Sequence, residues 1–85
     1  MTIKVEIYTR KGCHLCEVAE QVVREVRTQI PFELVIIDIE GKSELEDKYG
    51  EEIPVTLING QRHDYFSVDK KRFKIALNSI VLLSN

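Results

Sequence analysis

Two cysteines three positions apart, Cys13 and Cys16, are the residues of this 85-residue chain whose type and spacing point to chemistry. A thiolate attacks disulfides, and a second thiol one helical turn away can displace whatever the first has captured. Bridging the two closes too short a loop to restrain an unfolded chain, so the spacing serves exchange better than stability. Secreted mini-proteins held by disulfides carry more cysteines, spread along the sequence. Zinc wants four ligands, and there is no second cysteine pair; of His14 and His63, which could be recruited, His14 sits between the cysteines in the wrong geometry. Two inert buried thiols, or an iron–sulfur cluster shared between two chains, are the other readings of the pair.

The setting of the pair favours exchange. Cys13 follows a predicted strand and opens a predicted helix. A helix start presents unpaired backbone N–H groups and a partial positive charge, and both favour a thiolate over a thiol. Lys11, and His14 when protonated, add positive charge nearby. Cys13 is thus the expected nucleophile. Cys16, one turn further into the helix, is expected to stay protonated longer and to act second.

The elements that must hold this pair are legible as periodicities. Ile3-Lys4-Val5-Glu6-Ile7-Tyr8 alternates, which predicts a strand with Ile3, Val5 and Ile7 on one face. Apolar residues at Leu15, Val18, Ala19, Val22, Val23, Val26 and Ile30 form the stripe of an amphipathic helix that Pro31 ends. Leu34 to Ile39 is a β-branched, nearly continuous apolar run, expected as a strand covered on both faces. Ser43-Glu44-Leu45-Glu46 matches a capping box opening a short helix with Leu45 and Tyr49 on one face, and Gly50 sits where a left-handed cap belongs. Asn59-Gly60 between two extended runs predicts a tight hairpin. Asp69 is placed to cap a last helix reaching about Leu83, with Phe73, Ala76, Leu77, Ile80 and Val81 as its buried stripe. The order is βαβαββα, read as a four-stranded mixed sheet flanked by three helices in a single domain, 1–85.

Composition narrows the partners. Twelve Lys+Arg against 14 Asp+Glu give a net charge of −2, and no basic stripe exists to hold phosphates, so nucleic acid is not expected. Lys70-Lys71-Arg72 with Lys74 reads as a solvated helix face. No window reaches the ~18 apolar residues of a membrane span, and the start lacks the apolar core of a signal peptide. A cytoplasmic monomer is the default expectation.

With Ile53-Pro54-Val55 downstream, Tyr8-Thr9-Arg10-Lys11-Gly12-Cys13-His14-Leu15-Cys16 resembles a glutaredoxin-type member of the thioredoxin superfamily, across nearly the whole chain in element order. The resemblance implies an α/β thioredoxin-like fold and a thiol–disulfide oxidoreductase, with Cys13 as nucleophile and Cys16 as resolving residue. It implies a cis proline at Pro54 facing the pair, where base rates alone favour an ordinary trans, strand-opening proline. The backbone of Ile53 would then pair with an extended substrate segment. Protein or small-thiol disulfides are the implied substrates, and glutathione or a thioredoxin-type system the implied reductant. No metal or organic cofactor is implied, with glutathione a candidate co-substrate and Lys11 a partner for its carboxylate. The alternative is a redox-sensing, cluster-holding or partner-binding module without turnover.

Two departures stand out. Dithiol glutaredoxins usually have Pro-Tyr between the cysteines, where this chain has His14-Leu15. They also follow the fourth strand with Gly-Gly and an acidic residue that hold glutathione, where this chain has Tyr65-Phe66-Ser67-Val68-Asp69. Strand alternation predicts one buried and one exposed ring for Tyr65-Phe66. Asp69 has a sufficient job as a helix cap, Asp38 reads as a turn-facing carboxylate, and Tyr8 is expected to pack.

Overall fold

A computed structural model describes residues 2–83; residue 1 and residues 84–85, the ends of the expected 1–85 domain, lie outside the described residues. The chain runs β1 (Lys4–Thr9), α1 (His14–Arg27), β2 (Glu33–Asp38), α2 (Ser43–Tyr49), β3 (Val55–Ile58), β4 (Gln61–Tyr65) and α3 (Lys70–Leu83). The strands form one mixed sheet in the order β2-β1-β3-β4. β1 and β2 are parallel, as a βαβ crossover requires, while β3 runs antiparallel to both β1 and β4. This is the thioredoxin-like arrangement of four strands and three helices.

Strand alternation divides the core between the two faces of the sheet. Val5 and Ile7 of β1 and Ile58 of β3 pack with Ala19, Val23 and Val26 of α1 and with Phe73 and Leu77 of α3. On the other face, Val55 and Leu57 pack with Tyr49 and Leu45 of α2, and Tyr8 joins them. Tyr8 and Tyr49 stack at 4.2 Å between ring centroids, so Tyr8 packs as its position predicts. Burial, with the charge of Glu6 and contact with Tyr49 as lesser causes, raises the Tyr8 pKa above its ordinary value.

Several sequence expectations need correction. The apolar run of β2 is not covered on both sides: β2 is an edge strand, and Leu34 to Asp38 are all half-buried. The strand buried throughout is β3, which includes Thr56 at 0 % exposure. Ser43 does not cap α2; the cap position falls on Lys42, with no side-chain hydrogen bond there. Gly50 is right-handed, with φ −53°, so glycine is required there for a different reason: a Cβ would collide with the Glu46 carbonyl oxygen. In α1 the stripe is narrower than its spacing suggests, for Leu15 and Val18 are 52 % and 44 % exposed. In α3 Phe73 and Leu77 are buried, Ala76 and Ile80 are partly so, and Val81 is exposed.

Other local readings hold. Asn59 and Gly60 take φ of 50° and 82°, the paired positive angles that a tight hairpin needs. Asp69 caps α3, its Oδ1 accepting the Arg72 N–H at 3.0 Å. Lys70 pairs with Glu25 and Arg72 with Asp64, which ties the cationic start of α3 to its neighbours. Among the described residues no helix is long and apolar enough to cross a membrane.

Candidate active site

β1 delivers the chain into a turn from Arg10 to Cys13, closed by the Cys13 N–H donating to the Arg10 carbonyl at 3.3 Å. Gly12 has φ +76°, an angle that L side chains rarely adopt, and this is why a glycine stands there. Cys13 itself is extended, at φ −88° and ψ 107°, and is the N-cap of α1. Its Sγ occupies the place that a serine or aspartate oxygen fills in most helices, accepting the Cys16 N–H at 3.1 Å. The helix therefore aims both a hydrogen bond and its positive end at this sulfur. Arg10 reaches back to α2, its Nη2 3.4 Å from Glu46 Oε1, and so ties the turn down.

Cys13 and Cys16 are disulfide-bonded, with their Cα atoms 5.2 Å apart. They differ in access. Cys16 is 2 % exposed and belongs to the buried face of α1, whereas Cys13 is half-buried. A cleft of about 370 Å³ opens beside the bond, lined by Lys11, Cys13, Cys16, Glu20, Ile36 and Asp38 among others. Lys11 is exposed and makes no ion pair among the described residues. His14 turns away into solvent: its side chain is 86 % exposed, and Nδ1 lies 3.9 Å from Glu17 Oε2.

The second flank comes from β3 and β4. Registers Tyr8↔Val55 and Val55↔Tyr65 put Ile53, Pro54 and Tyr65 at the same end of the sheet as the Arg10–Cys13 turn. The Ile53–Pro54 peptide bond is cis, Pro54 is buried and Ile53 half-buried. Tyr65 and Phe66 do not divide between core and solvent. Both are exposed, at 47 % and 45 %, with ring centroids 5.0 Å apart. The cause is that Phe66 has left the strand, with φ +64°. The Ser67 N–H donates to the Tyr65 carbonyl at 2.8 Å, forming the rare γ-turn around a residue of positive φ. Holding a phenylalanine there costs about 1–3 kcal/mol.

Of the residues singled out in the sequence, Lys11, Cys13 and Cys16 line one cleft, while Ile53 and Pro54 lie at the same end of the sheet and do not line it. Glu20 lines the cleft four residues after Cys16, a spacing that puts both on one helix face. Asp38 holds the turn through the Glu40 N–H at 2.9 Å, as expected, and also borders the cleft, because it pairs with Thr9. Nothing in the sequence announces the Phe66 turn. A larger hollow of about 580 Å³ lies at the opposite end of the sheet, beside Ile3 and Glu33, and neither thiol nor histidine lines it.

A thioredoxin-like fold carrying a Cys-x-x-Cys pair supports a redox-related role, and comparison with known proteins bears on the family and the fold. Over 77 residues the chain is 35 % identical to an uncharacterized protein of Mycobacterium tuberculosis, covering 84 % of this chain and 78 % of that one. Protein Ne2328 from Nitrosomonas europaea, solved by NMR, is similar with a TM-score of 0.79 and 28 % identity, over 91 % of this chain and 93 % of that one. A mutant thioredoxin from Halobacterium salinarum shares the fold, with a TM-score of 0.67 and 20 % identity over 91 % of this chain and 73 % of that one. Residues 4–78 match the family model of the glutaredoxin-like domain (DUF836), and the chain belongs to that family.

Proposed function

We propose that this protein is a thiol–disulfide oxidoreductase. In its reduced form the Cys13 thiolate attacks one sulfur of a substrate disulfide R–S–S–R′. A Cys13–S–S–R bond forms, and R′–S⁻ leaves and takes up a proton. Cys16 then loses its proton and attacks Cys13 Sγ, the Cys13–Cys16 disulfide forms, and R–S⁻ leaves and is protonated. Two electrons have passed from the protein dithiol to the substrate. An external dithiol or glutathione returns the protein to its reduced form by the reverse sequence.

The observation that carries this reading is the asymmetry of the pair. Cys13 Sγ caps α1 and accepts the Cys16 N–H at 3.1 Å, while Cys16 is 2 % exposed. Helix-start hydrogen bonding favours sulfur in its anionic form, and access favours attack on and by Cys13. In this scheme Ile53 and Pro54 border the bound substrate segment, Lys11 offers a cation to it, and His14 stands at the solvent edge. Substrates are protein or small-thiol disulfides.

Replacing Cys16 with Ser tests the scheme. With no resolving thiol, the protein should retain one half of the substrate on Cys13, visible by mass spectrometry and released by dithiothreitol. Wild type should reduce insulin disulfides, and Cys13→Ser should not. A Cys16→Ser protein that captures nothing, beside a wild type that reduces nothing, would leave a fold without this activity.

A further inference from the structure

Beyond the two cysteines, this end of the sheet displays an aromatic pair that no packing requirement explains. We propose that Tyr65 and Phe66 are the specificity element of the site: they receive an apolar side chain flanking the cysteine of an extended peptide disulfide, in preference to glutathione. This rests on the exchange reading above.

Three observations support it. The first is where the strain is placed. Phe66 holds φ +64° in a γ-turn, yet the residue is 45 % exposed, so the conformation leaves nearly half of a large apolar residue open to solvent. Its N–H donates to the Glu52 carbonyl at 3.2 Å, which fixes the turn against the residue preceding Ile53–Pro54. The second is position. Tyr8, Val55 and Tyr65 are register partners across three adjacent strands, so Tyr65 lies about 10 Å from the strand that feeds Cys13. A segment held by Cys13 and running across the ends of β1 and β3 advances about 3.3 Å per residue, and on that path a side chain two or three places from the captured cysteine meets the rings.

The third is charge. Glutathione brings two carboxylates and an ammonium, yet the ionic groups bordering the β3–β4 flank are engaged. Arg62 is 3.0 Å from Glu52 and Arg72 is 3.1 Å from Asp64. The Asp69 carboxylate accepts the Arg72 N–H. Lys11 alone offers an unpaired cation beside the cysteines among the described residues. An apolar segment gains contact with both rings, whereas the two carboxylates of glutathione find one unpaired cation, Lys11.

Single-turnover kinetics with pre-reduced wild type tests this. Three disulfides are compared: a peptide whose cysteine has a leucine two residues away, the same peptide with serine there (both joined to 2-mercaptoethanol), and glutathione disulfide. The leucine peptide should react about tenfold faster than either of the others, the scale expected for burying one apolar side chain. Phe66→Gly, which relieves the positive φ and should unfold at the same or a higher denaturant concentration, should bring the leucine-to-serine ratio below about twofold. Ile75→Ser, on the exposed face of α3, should keep the wild-type ratio. Equal rates for all three disulfides, glutathione disulfide reacting fastest, or an undiminished ratio in Phe66→Gly would overturn the specificity proposal while leaving exchange intact. Reaction with none of the three would overturn both.

Discussion

At the level of single residues, the arrangement around Cys13 rests on one backbone angle in the residue just before it. Gly12 takes φ +76°, and a Cβ there would meet nothing within 4 Å, so a side chain costs only backbone strain. Gly12→Ala should therefore destabilise the protein by about 1 kcal/mol in urea titration. It should also slow exchange, because the same turn sets the Cys13 Sγ beneath the Cys16 N–H. Full stability in that variant would mean the turn tolerates L residues. His63 offers a test by pH. Its Nε2 is buried with no hydrogen-bond partner among the described residues, and its ring tilts against Phe73 at 5.7 Å. Burial lowers its pKa below the ordinary 6.5; the Asp64 charge opposes this and the Arg72 charge adds to it. The unfolded chain then takes up a proton before the folded one does. Stability is complete above about pH 6.5 and is lost as pH falls from there to the folded-state value, staying low beneath it. Urea midpoints of wild type should fall across this window, and those of His63→Leu should fall less. Parallel curves would refute the assignment.

Among the elements, α3 shows how placement decides energetics. Leu77 is fully buried against the sheet, whereas Ile75, two residues before it, is 57 % exposed. Leu77→Ala should cost about 2–5 kcal/mol, and Ile75→Ala about 0.5 kcal/mol or less, both read from urea unfolding. Similar losses at both positions would mean that α3 buries a different face. Periodicity made the elements and their order legible, because the 2-residue and 3.6-residue patterns of β1 and α1 are imposed by burial itself. It could not show that the run from Leu34 to Ile37 lies at a sheet edge. Position in a sheet is settled by pairing between distant segments, and β2 finds one neighbour, β1, where β3 finds two. Gly50 was legible as a helix stop but not as a right-handed one, since close approach to the Glu46 carbonyl selects glycine there as strongly as a positive φ would.

For the molecule as a whole, the sheet gathers its chemistry at one end. The C-terminus of β1, the N-terminus of β3 and the C-terminus of β4 meet there through the Tyr8–Val55–Tyr65 row. The cysteine pair of this site was legible in the sequence because two thiols after a strand and before a helix have few other uses. The aromatic flank stayed hidden, since a phenylalanine at φ +64° contradicts its own local preference, and the hydrogen bonds of its turn go to the distant Glu52 carbonyl and to that of Tyr65. Everything chemical depends on the two sulfurs being unequal. The most direct test is alkylation of the reduced protein with iodoacetamide at pH 7, each cysteine followed by peptide mass. Cys13, half-buried at the helix start, should react at least about tenfold faster than Cys16. Equal rates, or faster modification of Cys16, would contradict the division into an attacking and a resolving thiol.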